Sequence, residues 1–358
     1  MPPYSSPHRI RTRLFDALDA IGQFDDCVCL AYPHYFNVGD HLIWQGLLYW
    51  ILAVKKSRVS YTASSFDFSE ETLKRRSGKG PIFFRGGGNL GDLWPLYQRF
   101  REKVIAKNPD RKIVIMPQSI YFQDRIHLKQ AQRIFNAHPD LTIFARDNQS
   151  FELGKRYFSR CRVLLGPDLC FGLSGLFASM RPADPKREVL YLCRHDKELD
   201  SRFTGLRLNS LKVTTEDWSV LTWKTRKFQA LVRKFPKLWG FLAKNVYNGK
   251  ITKETTEEFE PFLKLIERVD DPRRHLDSLY LVWLGVFQLR QYRLVITNRL
   301  HAHLLCVMLG VPHVFLPNTY YKNEAYYRAW TSKIPGCRFV RDPSQVLAAV
   351  DQLLSEAC

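Results

Sequence analysis

At 358 residues, with 45% apolar and 25% charged side chains, the chain is too long for one ordinary core and suits two α/β domains. Its net charge of +19, from 54 Lys plus Arg against 35 Asp plus Glu, draws it to polyanions: anionic membrane surfaces, nucleic acid or phosphorylated ligands. No zinc-finger spacing, RNA-binding aromatic motif or repeat accompanies that charge, so no nucleic-acid partner is expected, and no apolar run reaches the roughly 18 residues that span a bilayer.

The first segment, Met1–Ala20, contains His8, Arg9, Arg11, Arg13, Asp16 and Asp19 and no apolar core of signal-peptide length, so secretion is not expected. The cysteines at 27, 29, 161, 170, 193, 306, 337 and 358 form no C-x-x-C unit and mostly sit in apolar runs. They read as buried thiols of a reducing compartment, the cytoplasm. A β-rich run at Cys27–Tyr32 leads through a loop to an apolar helix at Ile43–Val54. Pro81–Arg85, Lys112–Met116, Leu141–Ala145 and Arg162–Leu165 repeat the pattern, each followed by turn residues. Strands alternating with helices predict a parallel, doubly wound sheet. A second series starts at Val189–Cys193 and resumes with Leu294–Thr297, a helix from about Arg299, and His313–Leu316. The prolines and mixed charge of Arg181–Arg187 place a linker between the two, which predicts domains at 1–183 and 184–340 and a C-terminal helix at 341–358.

Between the strands of the second series, inside an insertion at about 201–275, residues 218–250 hold Lys224, Arg226, Lys227, Arg233, Lys234, Lys237, Lys244 and Lys250 and no acid. Trp218, Trp223, Phe228, Phe235, Trp239 and Phe241 are interleaved with them. A basic, aromatic segment gains from anionic lipid and from shallow burial of its rings, so peripheral attachment to a membrane surface is one reading. A pair of core-packing helices with a solvated basic face is the other, and composition does not separate them.

Chemistry-bearing residues recur where strands end. Arg85-Gly86-Gly87-Gly88-Asn89-Leu90-Gly91-Asp92 matches G-x-G-x-x-G at Gly86, Gly88 and Gly91, but the next strand ends Ile115-Met116-Pro117-Gln118 without the acid that holds a ribose. A dinucleotide cofactor is therefore not expected. What remains is a turn whose backbone amides approach a ligand closely, with Arg85 beside it for an anion. Asn37-Val38-Gly39-Asp40-His41 precedes a helix, and Asp40 reads as a base or, more simply, a helix cap. Gln118 and Ser119, Arg146 and Asp168 occupy equivalent turns. Thr297-Asn298-Arg299-Leu300-His301-Ala302-His303 is the sharpest signal, an apolar strand switching to a helix that starts with cations. Cations at a helix start cost about 0.3–1 kcal/mol each, so a bound phosphate or carboxylate explains them. Thr297 or Asn298 caps that helix. His301 and His303, two apart, point nearly opposite ways and do not chelate one ion, so no metal is expected.

These motifs resemble the polysaccharide pyruvyl transferase family: N-x-G-D at Asn37–Asp40, G-G-G-N-x-G-D at Gly86–Asp92, P-Q-S at Pro117–Ser119, R-D at Arg146–Asp147, P-D at Pro167–Asp168 and T-N-R-L-H at Thr297–His301, across roughly residues 27–320. The resemblance implies two Rossmann-like halves facing across a cleft, as in GT-B glycosyltransferases. It implies phosphoenolpyruvate as donor, a pair of sugar hydroxyls as acceptor and a pyruvate ketal as product, made during exopolysaccharide or cell-surface polysaccharide synthesis. By the same resemblance Arg194 joins Arg299 and His301. The family's glycine after R-L-H is Ala302 here, and 201–275 has no counterpart. On this reading Arg85, Arg194 and Arg299 clamp the donor, His301 is the general acid, and Asp40 or Asp168 accepts the hydroxyl proton. Asn37, Gly86, Gly87, Gly88, Asn89, Asp92, Gln118, Ser119, Arg146 and Asn298 bind substrate. No redox cofactor or metal is required, and a lipid-linked acceptor would give the basic aromatic segment a purpose. The competing expectations are a nucleotide-sugar glycosyltransferase of the same fold class and a noncatalytic scaffold at the membrane surface.

Overall fold

The computed structural model describes residues 4–180, 185, 187–206, 208, 211–218 and 253–356, without the side chains of 179 and 253–259. The predicted linker falls largely on residues outside this set, and so does the basic aromatic segment beyond Trp218.

After helix α1 (Pro7–Leu18), β1 (Asp26–Leu30) is buried on both faces and ends at a turn whose Asn37 side chain accepts from the Gly39 amide, capping α2 (Val38–Tyr49). Nearly every residue of α2 is buried, so this helix lies inside the protein rather than on it. Strand β2 (Arg58–Ala63), α3 (Glu70–Arg76), β3 (Ile82–Phe84) and β4 (Gly87–Gly91) follow. Then come α4 (Pro95–Lys107), β5 (Ile113–Tyr121), α5 (Arg125–Ala137), β6 (Leu141–Ala145), α6 (Asn148–Tyr157), β7 (Arg162–Leu165) and the short α7 (Ser174–Phe177). The seven strands form one parallel sheet, ordered β2-β1-β3-β5-β6-β7, with β4 continuing beside the far end of β5. The order reverses between β1 and β3, the crevice where ligands of open α/β sheets bind.

A separate five-stranded parallel sheet, ordered β12-β11-β10-β8-β9, is built from β8 (Arg187–Leu192), β9 (Val213–Glu216), β10 (Tyr292–Thr297), β11 (His313–Phe315) and β12 (Cys337–Phe339). Its helices are α8 (Lys253–Ile266), α9 (Pro272–Leu289), α10 (Leu300–Leu309), α11 (Lys322–Tyr326) and α12 (Val346–Glu356). The α/β class with parallel sheets therefore stands as expected. Where sequence reading places a glycine turn, the chain runs as β4, pairing Gly87 with Gln118 and Gly91 with Tyr121. Proline 117 is tolerated inside β5 because the ladder shifts there: Ile115 and then Gln118 pair with β6.

Helix α9 joins the halves. It packs on α2, and Gln45 donates to the His275 carbonyl at 2.8 Å, Trp44 Nε1 to His275 Nδ1 at 3.2 Å, while His41 Nδ1 lies 2.9 Å from Ser278 Oγ. One core cluster accordingly runs from Ile10 through α2 and α9 to Cys337. The described cysteines are free thiols, buried except for half-buried Cys161. Among the described residues no helix is long and apolar enough to cross a membrane.

Candidate functional site

The carboxyl ends of both sheets open on one cleft of about 640 Å³. From the first sheet it takes Asn37 and Asp40 after β1, Gly88 and Asn89 of β4, and Arg146 after β6; from the second, Arg194 after β8 and Arg299 and His301 after β10. All of these were singled out in the sequence.

Asp40 is not the cap of α2, since Asn37 is. Its carboxylate accepts from Tyr35 Oη at 2.9 Å and Asn37 Nδ2 at 2.8 Å, and Arg85 Nη1 stands 2.6 Å away. Burial would raise its pKa, but Arg85, His301 and the tyrosine bond outweigh it and hold Asp40 below the usual carboxylate range. Arg85 itself is buried behind Asp40, its charge spent on that carboxylate and its Nη2 donating to Tyr35 Oη at 3.2 Å. It orients Asp40 rather than lining the cleft.

His301 stands in the first turn of α10, whose N-cap is Arg299; the Thr297 hydroxyl accepts from the Arg299 amide at 3.0 Å. Its Nε2 lies 3.4 Å from Asp168 Oδ2, and Asp168 is fully buried, 2.7 Å from Arg146 Nη1. Burial opposes the charge of Asp168, yet His301, Arg146 and the Cys170 amide together hold its carboxyl far below the ordinary range. Ser119 Oγ accepts from Arg146 Nε at 3.0 Å and donates to Asp147 at 2.9 Å, which fixes the guanidinium from behind. Gly39 faces His301 directly: a Cβ there would meet Nδ1 at 2.4 Å. The first sheet's helix thus touches the second sheet's histidine because position 39 has no side chain.

The cations of the cleft are matched by acids. Arg194 is bidentate to Asp196 at 2.8 Å and donates to Glu198 at 2.9 Å; Arg299 Nε donates to Asp217 at 2.5 Å. Lys322, which sequence reasoning missed, lines the cleft with its ammonium on Glu198. Burial, with Arg194 and Arg146 nearby, pushes it down to about 8 against the pull of Glu198. Among the described residues, Arg146 Nη2 and both terminal nitrogens of Arg299 make no hydrogen bond and remain for a ligand. Lys322, Glu198 and Asp217 lie in segments without periodic pattern, and their one shared signal is position after β11, β8 and β9, the strand ends where the other candidates sit.

Gly86, Gly87, Gln118, Ser119, Asp168 and Asn298 support the cleft without lining it. Gln118 donates to Arg85 O at 2.9 Å and accepts from the Asn89 amide at 3.3 Å, pinning β4, and a Cβ on Gly86 would meet Pro117 O at 2.7 Å. Asn298 Oδ1 accepts from the Arg194 amide at 2.9 Å, joining the ends of β8 and β10. Asp92 turns away from the cleft and accepts from the Gln123 amide at 2.9 Å and from that of Asp124, holding the β5–α5 turn. Trp218 is buried, lines the cleft beneath Arg299 and donates to Gln288 at 2.9 Å. His303 points away from His301 into the core, where its Nδ1 lies 2.7 Å from His313 Nε2 and Cys337 Sγ is 3.7 Å off. The outer nitrogens contact Thr331 Oγ1 and Val311 O at 2.8 Å, so every ring nitrogen of the pair has a protein partner.

Comparison with known proteins bears on this arrangement. The family model of polysaccharide pyruvyl transferase matches residues 37–320, from the cap of α2 to the turn before Lys322. EpsO of Bacillus subtilis is 29% identical over 94% of this chain and 95% of its own, and pyruvyl transferase 1 of Schizosaccharomyces pombe is 28% identical over 91% and 74%. The crystal structure of an uncharacterized protein from Klebsiella pneumoniae superposes with a TM-score of 0.53 at 18% identity, covering 91% of this chain and 96% of that one, which speaks to the fold alone. With a match that covers most of both sheets and most of the residues lining the cleft, the chain belongs to the polysaccharide pyruvyl transferase family.

Proposed function

We propose that the protein moves the enolpyruvyl group of phosphoenolpyruvate onto two hydroxyls of a sugar in a glycan, forming a pyruvate ketal. The observation that carries the reading is one histidine, His301, set between the ionised Asp168 and Asp40, in a cleft where guanidinium donors of Arg146 and Arg299 are unspent. Phosphoenolpyruvate brings a phosphate and a carboxylate, each matched by a planar guanidinium. Arg299, Arg146 and Lys322 bind it, and Arg194, saturated by Asp196 and Glu198, holds Lys322's counter-charge in place.

In the reaction His301 gives its proton to the methylene carbon, which becomes a methyl group, and the neighbouring carbon becomes electrophilic. A sugar hydroxyl attacks that carbon while Asp40 takes its proton. Phosphate departs with the electrons of the C–O bond, and the second hydroxyl closes the ketal. Of the two hydroxyl protons, one restores His301 and one leaves on the phosphate. Asp168 orients the imidazole and supplies the counter-charge that its cationic form requires.

The finer architecture belongs to the same proposal: two Rossmann-like domains meeting near residue 184 in a GT-B-like arrangement, supported by two separate parallel sheets with the cleft between their ends. A lipid-linked acceptor, and a place on the cytoplasmic membrane face, rest on the net charge and the basic aromatic segment. Incubation with phosphoenolpyruvate and a panel of glycans should release phosphate and add to one acceptor the mass of pyruvate less water. Turnover of a nucleotide sugar with none of phosphoenolpyruvate would overturn the reading. His301→Ala should lose about 100-fold or more in kcat while still binding the donor; near-native turnover would remove His301 as the acid.

A further inference from the structure

The cleft is larger than its donor requires. Cavities of about 640 Å³ hold drug-sized ligands, and phosphoenolpyruvate is a fraction of that size. The walls differ in character. The floor and the second-sheet side carry Arg146, Arg194, Arg299 and Lys322 with their acids, whereas the lip on the first-sheet side presents Phe66, Trp94, Leu96 and Tyr97.

Phe66 is 64% exposed and Leu96 43%, two of the few large apolar side chains left in water among the described residues. Single exposed apolar residues are routine, but these stand with two more rings on the lip of one cleft, and clustering of that kind marks a binding surface. They are held rather than loose. The Phe66 amide donates to Ser64 Oγ at 3.1 Å in a turn closed by Asp67, which pairs with Arg274 of α9. Lys197 reaches from the second sheet to place Nζ 4.1 Å from the Trp94 ring centroid while donating to the Leu93 carbonyl. The Tyr97 ring lies 6.0 Å from Tyr35, whose hydroxyl donates to Asp40. The wall therefore begins one ring away from the carboxylate that takes the acceptor's proton.

A ligand with a hydroxyl at Asp40 and its body on this wall meets apolar rings on one side and polar groups at their edges, which suits an aliphatic face with a polar edge. A pyranose has that shape. A hydrocarbon chain gains only from continuous apolar surface, and here the rings alternate with Asn37, Arg99 and tyrosine hydroxyls. We infer that Phe66, Trp94, Leu96 and Tyr97 form the acceptor subsite, where a neutral sugar of the glycan stacks its C–H face on the rings. This inference rests on the pyruvyl-transfer reading.

Saturation-transfer-difference NMR tests it on the full chain with phosphoenolpyruvate present, using methyl glycosides of the common hexoses and N-acetylhexosamines, and octyl glucoside beside methyl glucoside. The expected result is transfer to ring C–H protons of at least one methyl glycoside, weakened roughly five- to tenfold in Phe66→Ala/Trp94→Ala and less in Phe66→Ala alone. Phosphoenolpyruvate affinity, titrated calorimetrically, stays unchanged in both variants, which also reports the fold. Equal transfer in wild type and variants, or none from any methyl glycoside, overturns the subsite. Saturation of the octyl chain without the sugar ring overturns it in favour of a hydrocarbon occupant. If phosphoenolpyruvate does not bind the wild type while the sugars do, the subsite stands and the pyruvyl-transfer reading falls.

Discussion

At the scale of single residues, the contact between Gly39 and His301 shows how little room the proposed acid has. A methyl group at 39 would lie 2.4 Å from Nδ1 and 2.6 Å from Cβ, inside any real contact, so α2 or the imidazole must move. A displacement near 1 Å in a reacting group costs about 100-fold. Gly39→Ala is therefore expected to reduce kcat by 10- to 100-fold, with donor affinity within a few-fold of wild type; an unchanged kcat would mean that His301 is not the reacting group. Lys322 gives a pH signature. With its ammonium pushed down to about 8, its charge is lost above that pH, where a phosphate ester is already fully ionised. The expected outcome is a kcat/KM for phosphoenolpyruvate that falls above about pH 8, with that limb displaced upward in Lys322→Arg, whose guanidinium stays charged. Motif spacing made His301 and Arg299 legible, because they adjoin a strong strand pattern, whereas Arg194 is reached only through the family resemblance. It misassigned the job of Arg85 and Asp92, because a charged residue beside a glycine run looks the same whether it faces the ligand or the core, and only the fold pairs Arg85 with Asp40 across the β1 and β3 ends.

At the scale of elements, the glycine segment is a strand that cannot carry side chains on one edge. Gly91 has φ +135°, and a Cβ there would meet the Tyr121 carbonyl oxygen at 1.7 Å, so alanine must break the β4–β5 ladder. Backbone cannot step aside as a flexible side chain can. Gly91→Ala is expected to destabilise by about 3 kcal/mol or more, read as a lowered Tm or urea midpoint, whereas Gly22→Ala, with positive φ but open space, should cost less. Sequence periodicity found most strands because continuous apolar runs mark buried parallel strands. It missed β2, β9 and β12, which are short or half-polar, and β4, whose composition reads as turn. It also began α2 too late: Asn37 to His41 carry the cap and the cleft carboxylate, and their mixed polarity hides a buried first turn.

At the scale of the whole molecule, the two sheets are joined through polar groups that tolerate no extra charge. His41 and His275 lie in the α2–α9 contact, and burial pushes both down to about 4. His313, in the core of the second sheet, is likewise pushed down to about 4. In the unfolded chain each would titrate near 6.5, so between about pH 6.5 and 4 the unfolded state binds more protons than the folded one. The sign follows: stability is fully present above about 6.5 and is lost as pH falls toward 4, by up to about 1.4 kcal/mol per pH unit for each such histidine. The carboxylates Asp40, Asp67 and Asp168, held below their usual range, extend the loss to lower pH. Urea unfolding followed from pH 7 to pH 4 should show midpoints falling through that window. His275→Gln keeps a donor and acceptor in the contact but cannot take up a proton, so it should start less stable at pH 7 and lose stability with a shallower slope. An equal slope in His275→Gln would mean that the charge enters elsewhere, and that the α2–α9 contact opens before its histidine titrates.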